Sequence, residues 1–347
     1  MDQTFSFTHT SESRVLIQRG AEQRLPEIVS ALRPHNVVVV HDQQLAAVAN
    51  RVAAALSADT TLAVSGEDST KSLQAAGELA ERLHRAAATR ATVIVALGGG
   101  TVTDLVGFVA SVYLRGVAFV SCPTTTLAMC DAALGGKNGV DHCGLKNRIG
   151  TINQPDAVVM DTSWLETLPD DLYREGLVEV VKKAAVLDAD HFVALEEIAS
   201  ALVARDHDAT ARVVSMAVEM KMAVVLNDER ESDRRRALNA GHTIGHAVES
   251  LAKGTVRHGA AIAMGLIAEC RAADVSVETT ARIGDMLRAI GAPTEIPARL
   301  RQPKELWDRA RHDKKAARGE VPMFVPRTLG DGELVTLTEA GMRKALS

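Results

Sequence analysis

Val93-Ile94-Val95-Ala96-Leu97-Gly98-Gly99-Gly100-Thr101 reads as a buried strand that runs straight into a glycine turn. Five apolar residues in a row, with no polar alternation, suit a strand covered on both faces, as in a parallel sheet. The glycines let a backbone approach an anion closely. A helix starting near Thr101 would add free N–H groups and a positive dipole end for a pyrophosphate. The spacing is not G-x-G-x-x-G, so the usual dinucleotide fingerprint is absent, and a plain strand-to-helix turn is the alternative. Asp42, at the end of an earlier apolar run, suits a ribose hydroxyl or a solvated loop.

Outward from this turn, the strand texture recurs at residues 36–40, 61–64, 117–120 and 157–160, with Ala-rich amphipathic segments such as 73–88 in between. Strand and helix in alternation predict a mostly parallel sheet covered by helices. From about Thr162 the texture changes to long helical patterns at 173–186, 190–204, 208–225, 243–252 and 260–273, with a short strand at 321–326. The expected fold is therefore an α/β domain with a Rossmann-like nucleotide site over 1–161, and an all-α metal- and substrate-binding domain over 162–347. A length of 347 residues also favours two domains.

Composition narrows the function. Hydrophobic residues are 46% and charged residues 24%, the balance of a soluble globular protein. Aromatics are only 3%, so the cores rest on Ala, Val, Leu and Ile. A net charge of −5 without a large basic block argues against nucleic acid as a partner. Cys122, Cys130, Cys143 and Cys270 form no CxxC pair and read as reduced thiols of a cytoplasmic protein. Residues 1–14 carry no apolar signal core, and no apolar run approaches the ~20 residues that span a bilayer.

A second motif carries chemistry. In Leu238-Asn239-Ala240-Gly241-His242-Thr243-Ile244-Gly245-His246, two imidazoles stand four apart, one turn of a helix, where they could bind zinc jointly. The glutamate of HExxH is missing. His258 follows sixteen residues after His242, close enough for a helical hairpin to bring it in. Glu179 sits in an apolar helical stretch, where a carboxylate needs a partner. Two His and one Glu make a catalytic zinc set with room left for substrate. Capped helix ends and surface histidines are the plainer reading. Arg115, Lys137, Lys146, Lys182, Lys221, Arg235 and Lys315 recur beside these segments; singly they are solvated charges, together they suit a substrate bearing carboxylate and phosphate.

With these segments in hand, the chain resembles the dehydroquinate synthase family of sugar phosphate cyclases. The resemblance is carried by GGGTVTDLVGFVASVYLRG from Gly98, PTTTLAMCDAALGGK from Pro123, EVVK from Glu179, DERESDRRRALNAGHTIGH from Asp228, RHG from Arg257 and DKK from Asp313. It implies an NAD domain, a helical metal-binding domain, a homodimer, and a small anionic sugar phosphate as substrate. The reaction implied is loss of phosphate from 3-deoxy-arabino-heptulosonate 7-phosphate and closure to 3-dehydroquinate. Residue by residue, it implies Glu179, His242 and His258 as ligands of zinc or cobalt, with His246 a catalytic or phosphate-contacting group and not a ligand. It puts Asp131, Lys137, Asn147, Lys182, Lys221, Arg235, Asn239 and Lys315 around the substrate and Arg115 near its phosphate. It puts Asp42, Glu67, Lys71, Gly99, Gly100, Asp104, Thr124, Thr125, Lys137 and Lys146 around NAD.

Four departures stand out: Asn138 in place of threonine after GGK, Gly144-Leu145-Lys146-Asn147 in place of the order Leu-Gly-Lys-Asn, one extra residue between Gly66 and Lys71, and Ala260 in place of glutamate after His-Gly. The first two border the expected substrate pocket and open a second reading, an aminodehydroquinate synthase or another cyclase of secondary metabolism. A metal-dependent NAD alcohol dehydrogenase is a third.

Overall fold

The computed structural model describes residues 11–143, 145–228, 234–313 and 321–346; Lys315 lies outside them. The chain divides into two compact units. The first holds residues up to Leu16, Gly20–Pro123 and Gly136–Met160; the second holds Ile17–Arg19, Thr124–Gly135 and the chain from Asp161 on.

The strands of the first part are β1 (Arg14–Gln18), β2 (Asn36–Asp42), β3 (Thr60–Val64), β4 (Thr92–Gly98), β5 (Ala118–Pro123), β6 (Lys137–His142), β7 (Leu145–Ile152) and β8 (Ala157–Asp161). The helices among them are α1 (Leu25–Ala31), α2 (Ala46–Leu56), α3 (Leu73–Arg85) and α4 (Gly100–Val112). Six strands form one sheet in the order β1-β8-β5-β4-β2-β3, and β2, β3, β4, β5 and β8 pair in parallel. Every residue of β4 is buried, as its unbroken apolar run requires. Val38, Val40, Ile94 and Ala96 pack on one side against Leu79 and Leu83 of α3 and Val102 and Val106 of α4. Ser72 starts α3 by accepting the Ala75 N–H.

This strand order marks a candidate ligand-binding edge of the sheet. The chain leaves β2 toward β3 and returns on the other side of β2 as β4, so the switch in direction lies between β2 and β4, with His41 level with Leu97. Open α/β sheets bind ligands outside the carboxyl ends of strands at such a point. Asp42 ends β2 and Gly98 ends β4 there.

The second unit is helical: α5 (Asp170–Leu187), α6 (Ala189–Val203), α7 (His207–Val225), α8 (His242–Ala252), α9 (His258–Ala272), α10 (Val277–Ala289), α11 (Pro303–Asp313) and α12 (Glu339–Ala345), with one antiparallel hairpin of β9 (Val321–Thr328) and β10 (Asp331–Leu337). Asp188, Asp206 and Ser276 cap α6, α7 and α10 through their side chains. Ile244 and Val248 of α8, Met264 of α9, Leu306 of α11, Val325 of β9 and Met342 of α12 share one core. Helix α5 is buried from Gly176 to Val186, and α9 from Ala261 to Cys270, polar residues included. A helix buried on every side that still carries charges is building a site rather than a surface.

Ile94→Ala tests the weight of the sheet core. Ile94 is 1% exposed, and truncation is expected to lower stability by roughly 2–5 kcal/mol in denaturant unfolding. A loss within measurement error would mean that this face of β4 does not hold the unit together.

Candidate active site

Glu179 is the centre of the second unit's polar cluster. Its side chain is 1% exposed, and Lys182 Nζ, one helical turn on, lies 2.5 Å from Oε2. His242 Nε2 and His258 Nε2 lie 3.8 and 3.7 Å from Oε1. Neither Glu179 oxygen has a partner at hydrogen-bond geometry. Two imidazole nitrogens therefore converge on a buried carboxylate oxygen without bonding to it. Donor atoms so spaced can be bridged by a divalent cation at bond lengths of about 2.0–2.2 Å. The three side chains fit such an ion.

The imidazoles are held from behind. His242, the first residue of α8, has Nδ1 3.1 Å from the Ala240 carbonyl. His258, the first residue of α9, has Nδ1 3.2 Å from Glu249 Oε2. Each Nδ1 is anchored so that Nε2 faces Glu179, the usual outer support of a metal histidine; a cation bound there would displace any second proton from Nε2. His246 is the third ring of the group, with centroids 5.0 Å from His242 and 5.9 Å from His258. It forms a second possible ligand set with Glu249 and His258; among the described residues no set holds both His242 and His246, so the pair four apart in sequence is not brought together on one ion.

The charges follow from this packing. Burial would raise the Glu179 carboxyl, but Lys182, His242 and His258 outweigh it and hold it well below the carboxylate range. Burial, with the Lys182 charge beside it, keeps His242 well below its ordinary value and so neutral. For His258 burial works against the proton, but the carboxylates of Glu179 and Glu249 prevail and lift it to about 9.

A second carboxylate, Asp131, sits on one turn of π-helix, Ala128–Ala132. Such turns are concentrated at functional sites. Lys221 Nζ lies 3.1 Å from its Oδ1 and 2.5 Å from its main-chain oxygen. Lys183, fully buried, donates to the Cys130 carbonyl at 2.5 Å and reaches Asp131 Oδ1 at 3.4 Å. Burial would raise Asp131, but Lys221 and Lys183 bring it far below its usual value. Burial lowers Lys221 to about 8, against the pull of Asp131. Arg235, 2% exposed, donates to the Gly135 carbonyl at 3.1 Å. Lys182, Lys183, Lys221 and Arg235 thus stand against Glu179 and Asp131, a surplus of positive charge suited to an anion. Asn239 is half-buried just before α8. Lys183 and Glu249 were not singled out in the sequence.

In the first unit, Gly99 and Gly100 open α4, and the N–H groups of Val102 and Thr103 bond to the Gly99 carbonyl. A Cβ on Gly98 would stand 2.7 Å from that of Val102, so the turn accepts no side chain there. Asp42 Oδ1 accepts the Gln44 N–H at 2.9 Å, and Glu67 precedes a short turn of helix. Lys71, buried, reaches Asp104 Oδ2 at 2.8 Å and Asn147 Oδ1 at 2.7 Å. One residue expected at the substrate is thereby tied to two expected at NAD. Lys146 pairs with Asp68 at 2.8 Å, and Lys137 is exposed at the start of β6. Arg115 is exposed in a left-handed backbone position, φ 69°, after Leu114 at φ 50°. Thr124 and Thr125 belong to the second unit, where Thr125 Oγ1 accepts the Ala128 N–H at 3.2 Å.

Asn138, the first departure, turns onto the backbone. Its amide donates to the carbonyls of Gly136 and Asn153 at 2.9 and 2.8 Å. Its oxygen fills the space beside Gly107, where a Cβ would be 1.9 Å away. Asn138 ties the ends of the β6–β7 hairpin to each other and seats them on α4.

Comparison with known proteins agrees with this architecture. Residues 61–175 match the 3-dehydroquinate synthase N-terminal family and residues 176–316 the 3-dehydroquinate synthase C-terminal family. A 3-dehydroquinate synthase of Desulforamulus reducens is 41% identical over 309 residues, covering 86% of both chains. Two solved structures are similar throughout. One is a 2-epi-5-epi-valiolone synthase of Streptomyces hygroscopicus subsp. jinggangensis with NAD+ and Zn2+ bound, at TM-score 0.87 and 25% identity, covering 100% of this chain and 98% of the other. The other is a 2-deoxy-scyllo-inosose synthase complexed with carbaglucose-6-phosphate, NAD+ and Co2+, at TM-score 0.85 and 25% identity, covering 96% and 95%. The chain belongs to the 3-dehydroquinate synthase family of enzymes.

Glu249→Gln removes the charged support behind His258. Zinc affinity, read by calorimetric titration, is expected to fall roughly 10–100-fold. Unchanged affinity would mean that the Glu249 charge does not support the metal centre through His258.

Proposed function

We propose that this chain is a 3-dehydroquinate synthase-type sugar phosphate cyclase, which releases phosphate from 3-deoxy-arabino-heptulosonate 7-phosphate and closes the product to 3-dehydroquinate. The observation that carries the proposal is the convergence of His242 and His258 on buried Glu179, within a group of lysines and an arginine, in a member of this family. NAD and a divalent metal, zinc or cobalt, are assigned by likeness to the valiolone and deoxyinosose synthases. When bound, NAD would take up and return the hydride of one carbinol whose oxygen the cation polarises.

The chain's own residues have distinct tasks. Lys221 and Arg235 clamp the substrate carboxylate, a task for charge-assisted hydrogen bonds. Asp131 holds Lys221 in place and keeps it charged at neutral pH. Lys182 fixes Glu179 and adds positive charge near the substrate, with Asn239 beside it. His246 serves as a catalytic or phosphate-contacting group, and Arg115, Lys137, Asn147 and Lys315 meet the sugar phosphate. Asp42, Glu67, Lys71, Gly99, Gly100, Asp104, Thr124, Thr125 and Lys146, with Lys137, form the nucleotide set. Asn138 spends its side chain on backbone carbonyls, which removes one of the two departures favouring an aminated substrate. We also propose the division into an NAD domain over 1–161 and a metal and substrate domain over 162–347, a homodimer, and a cytoplasmic setting. Among the described residues, no helix is long and apolar enough to cross a membrane.

The test is direct. Purified protein with the seven-carbon substrate, NAD and cobalt is expected to release one phosphate per carbocycle, with no NADH accumulating. No phosphate would refute the cyclase, and NADH rising in step with substrate consumed would indicate a dehydrogenase. A pH profile tests the clamp. Lys221 is cationic below about 8 and loses its proton above that value. KM is therefore expected to climb as pH passes 8, with kcat less affected. A KM flat across that range would place the carboxylate elsewhere.

A further inference from the structure

Glu269 is a carboxylate in the middle of the apolar run of α9, and it is fully buried. Its Oε2 accepts the Gly241 N–H and its Oε1 the Ile244 N–H, both at 2.8 Å. These are donors at the start of α8, where N–H groups lack partners within the helix and the dipole favours a negative charge. The cap is supplied by a neighbouring helix rather than by the chain just ahead of α8. Gly241 itself is left-handed, φ 76°, and no side chain caps the helix from that position.

The place of this contact matters. Gly241 stands between Ala240, whose carbonyl holds His242 Nδ1, and His242 itself. A shift of Gly241 moves both the ring's anchor and its support. His258 begins the same helix that carries Glu269. One rigid element thus bears the His258 ring and the group that fixes the start of α8. The two helices also meet backbone to backbone: a Cβ on Gly265 would stand 2.1 Å from the Gly241 carbonyl and 2.6 Å from the Gly245 nitrogen.

We propose that Glu269 is a positioning residue for the metal centre, setting the distance between His242 and His258 by clamping the N-terminus of α8 to α9. This deepens the metal assignment above and rests on it. Glu269 touches neither substrate nor cofactor.

The experiment uses cobalt alone, without substrate, so it does not depend on turnover. Glu269→Gln keeps the shape but turns an N–H donor toward one of two N–H donors. Glu269→Asp keeps the charge and withdraws it by one carbon. In each variant the cobalt affinity, by competition with a chelator, is expected to fall roughly 10–100-fold, and the visible ligand-field bands of the saturated protein to shift. A lower melting temperature with unchanged affinity and bands would make Glu269 a purely structural residue and overturn the proposal. Should both variants fail to fold, the wild-type chain still answers. By linkage, cobalt loading is expected to slow hydrogen exchange at the Gly241 and Ile244 amides, and unchanged exchange there would overturn the clamp. A wild-type chain that binds cobalt but does not cyclise refutes the function and leaves this inference standing; one that takes up no cobalt refutes both.

Discussion

A carboxylate taken out of water must be charged against something, and Glu179 is the point where this fold meets that requirement. Removing an ion from water costs several kcal/mol even after relaxation. Lys182, on the same helix and equally buried, offsets part of the cost. The imidazoles of His242 and His258 supply neutral or cationic partners according to their surroundings. Glu179 Oε1, faced by both imidazoles beyond hydrogen-bond distance, is the part of the arrangement that a divalent cation would complete. Helices α5, α8 and α9 each bring one donor, so the site exists only when all three are packed.

Around this centre, charge is arranged in layers. Asp131 binds Lys221 and Lys183 together, which lets two ammonium groups sit side by side in a buried place. The surplus cations would then suit an anionic substrate without being driven apart. In the first unit the geometry is simpler. A buried parallel sheet changes direction between β2 and β4, and the glycine turn opens α4 beside that change. The Lys71–Asp104–Asn147 group ties α4, which opens on the glycine turn, to the β6–β7 hairpin.

Much of this was legible in the amino acids. The apolar runs at 36–40, 61–64, 92–97, 117–120 and 157–160 all became strands; four of them lie inside the sheet, where burial on both faces leaves an unbroken hydrophobic signal, while β3 at the sheet edge buries only Leu62. The five helical patterns after residue 162 also stand within a few residues of their expected ends. The β6–β7 hairpin was not legible. Most of β7 is exposed, so neither alternation nor a continuous run marks it. Edge strand β1 is only half-buried and gives no better signal. In the site, Glu179 was found by its apolar neighbours, and the same argument applied to the run from 260 to 273 would have found Glu269. Lys183 could not be separated from Lys182 by pattern, because α5 is buried on all sides and has no polar face against which to judge them.

The central claim is that one divalent ion is held by Glu179, His242 and His258. Anomalous scattering at the zinc edge from a zinc-loaded crystal tests it most directly. The account predicts a single strong peak within bonding distance of Glu179 Oε1 and the Nε2 atoms of His242 and His258. A peak held instead by His246, Glu249 and His258, or none near Glu179, would contradict it.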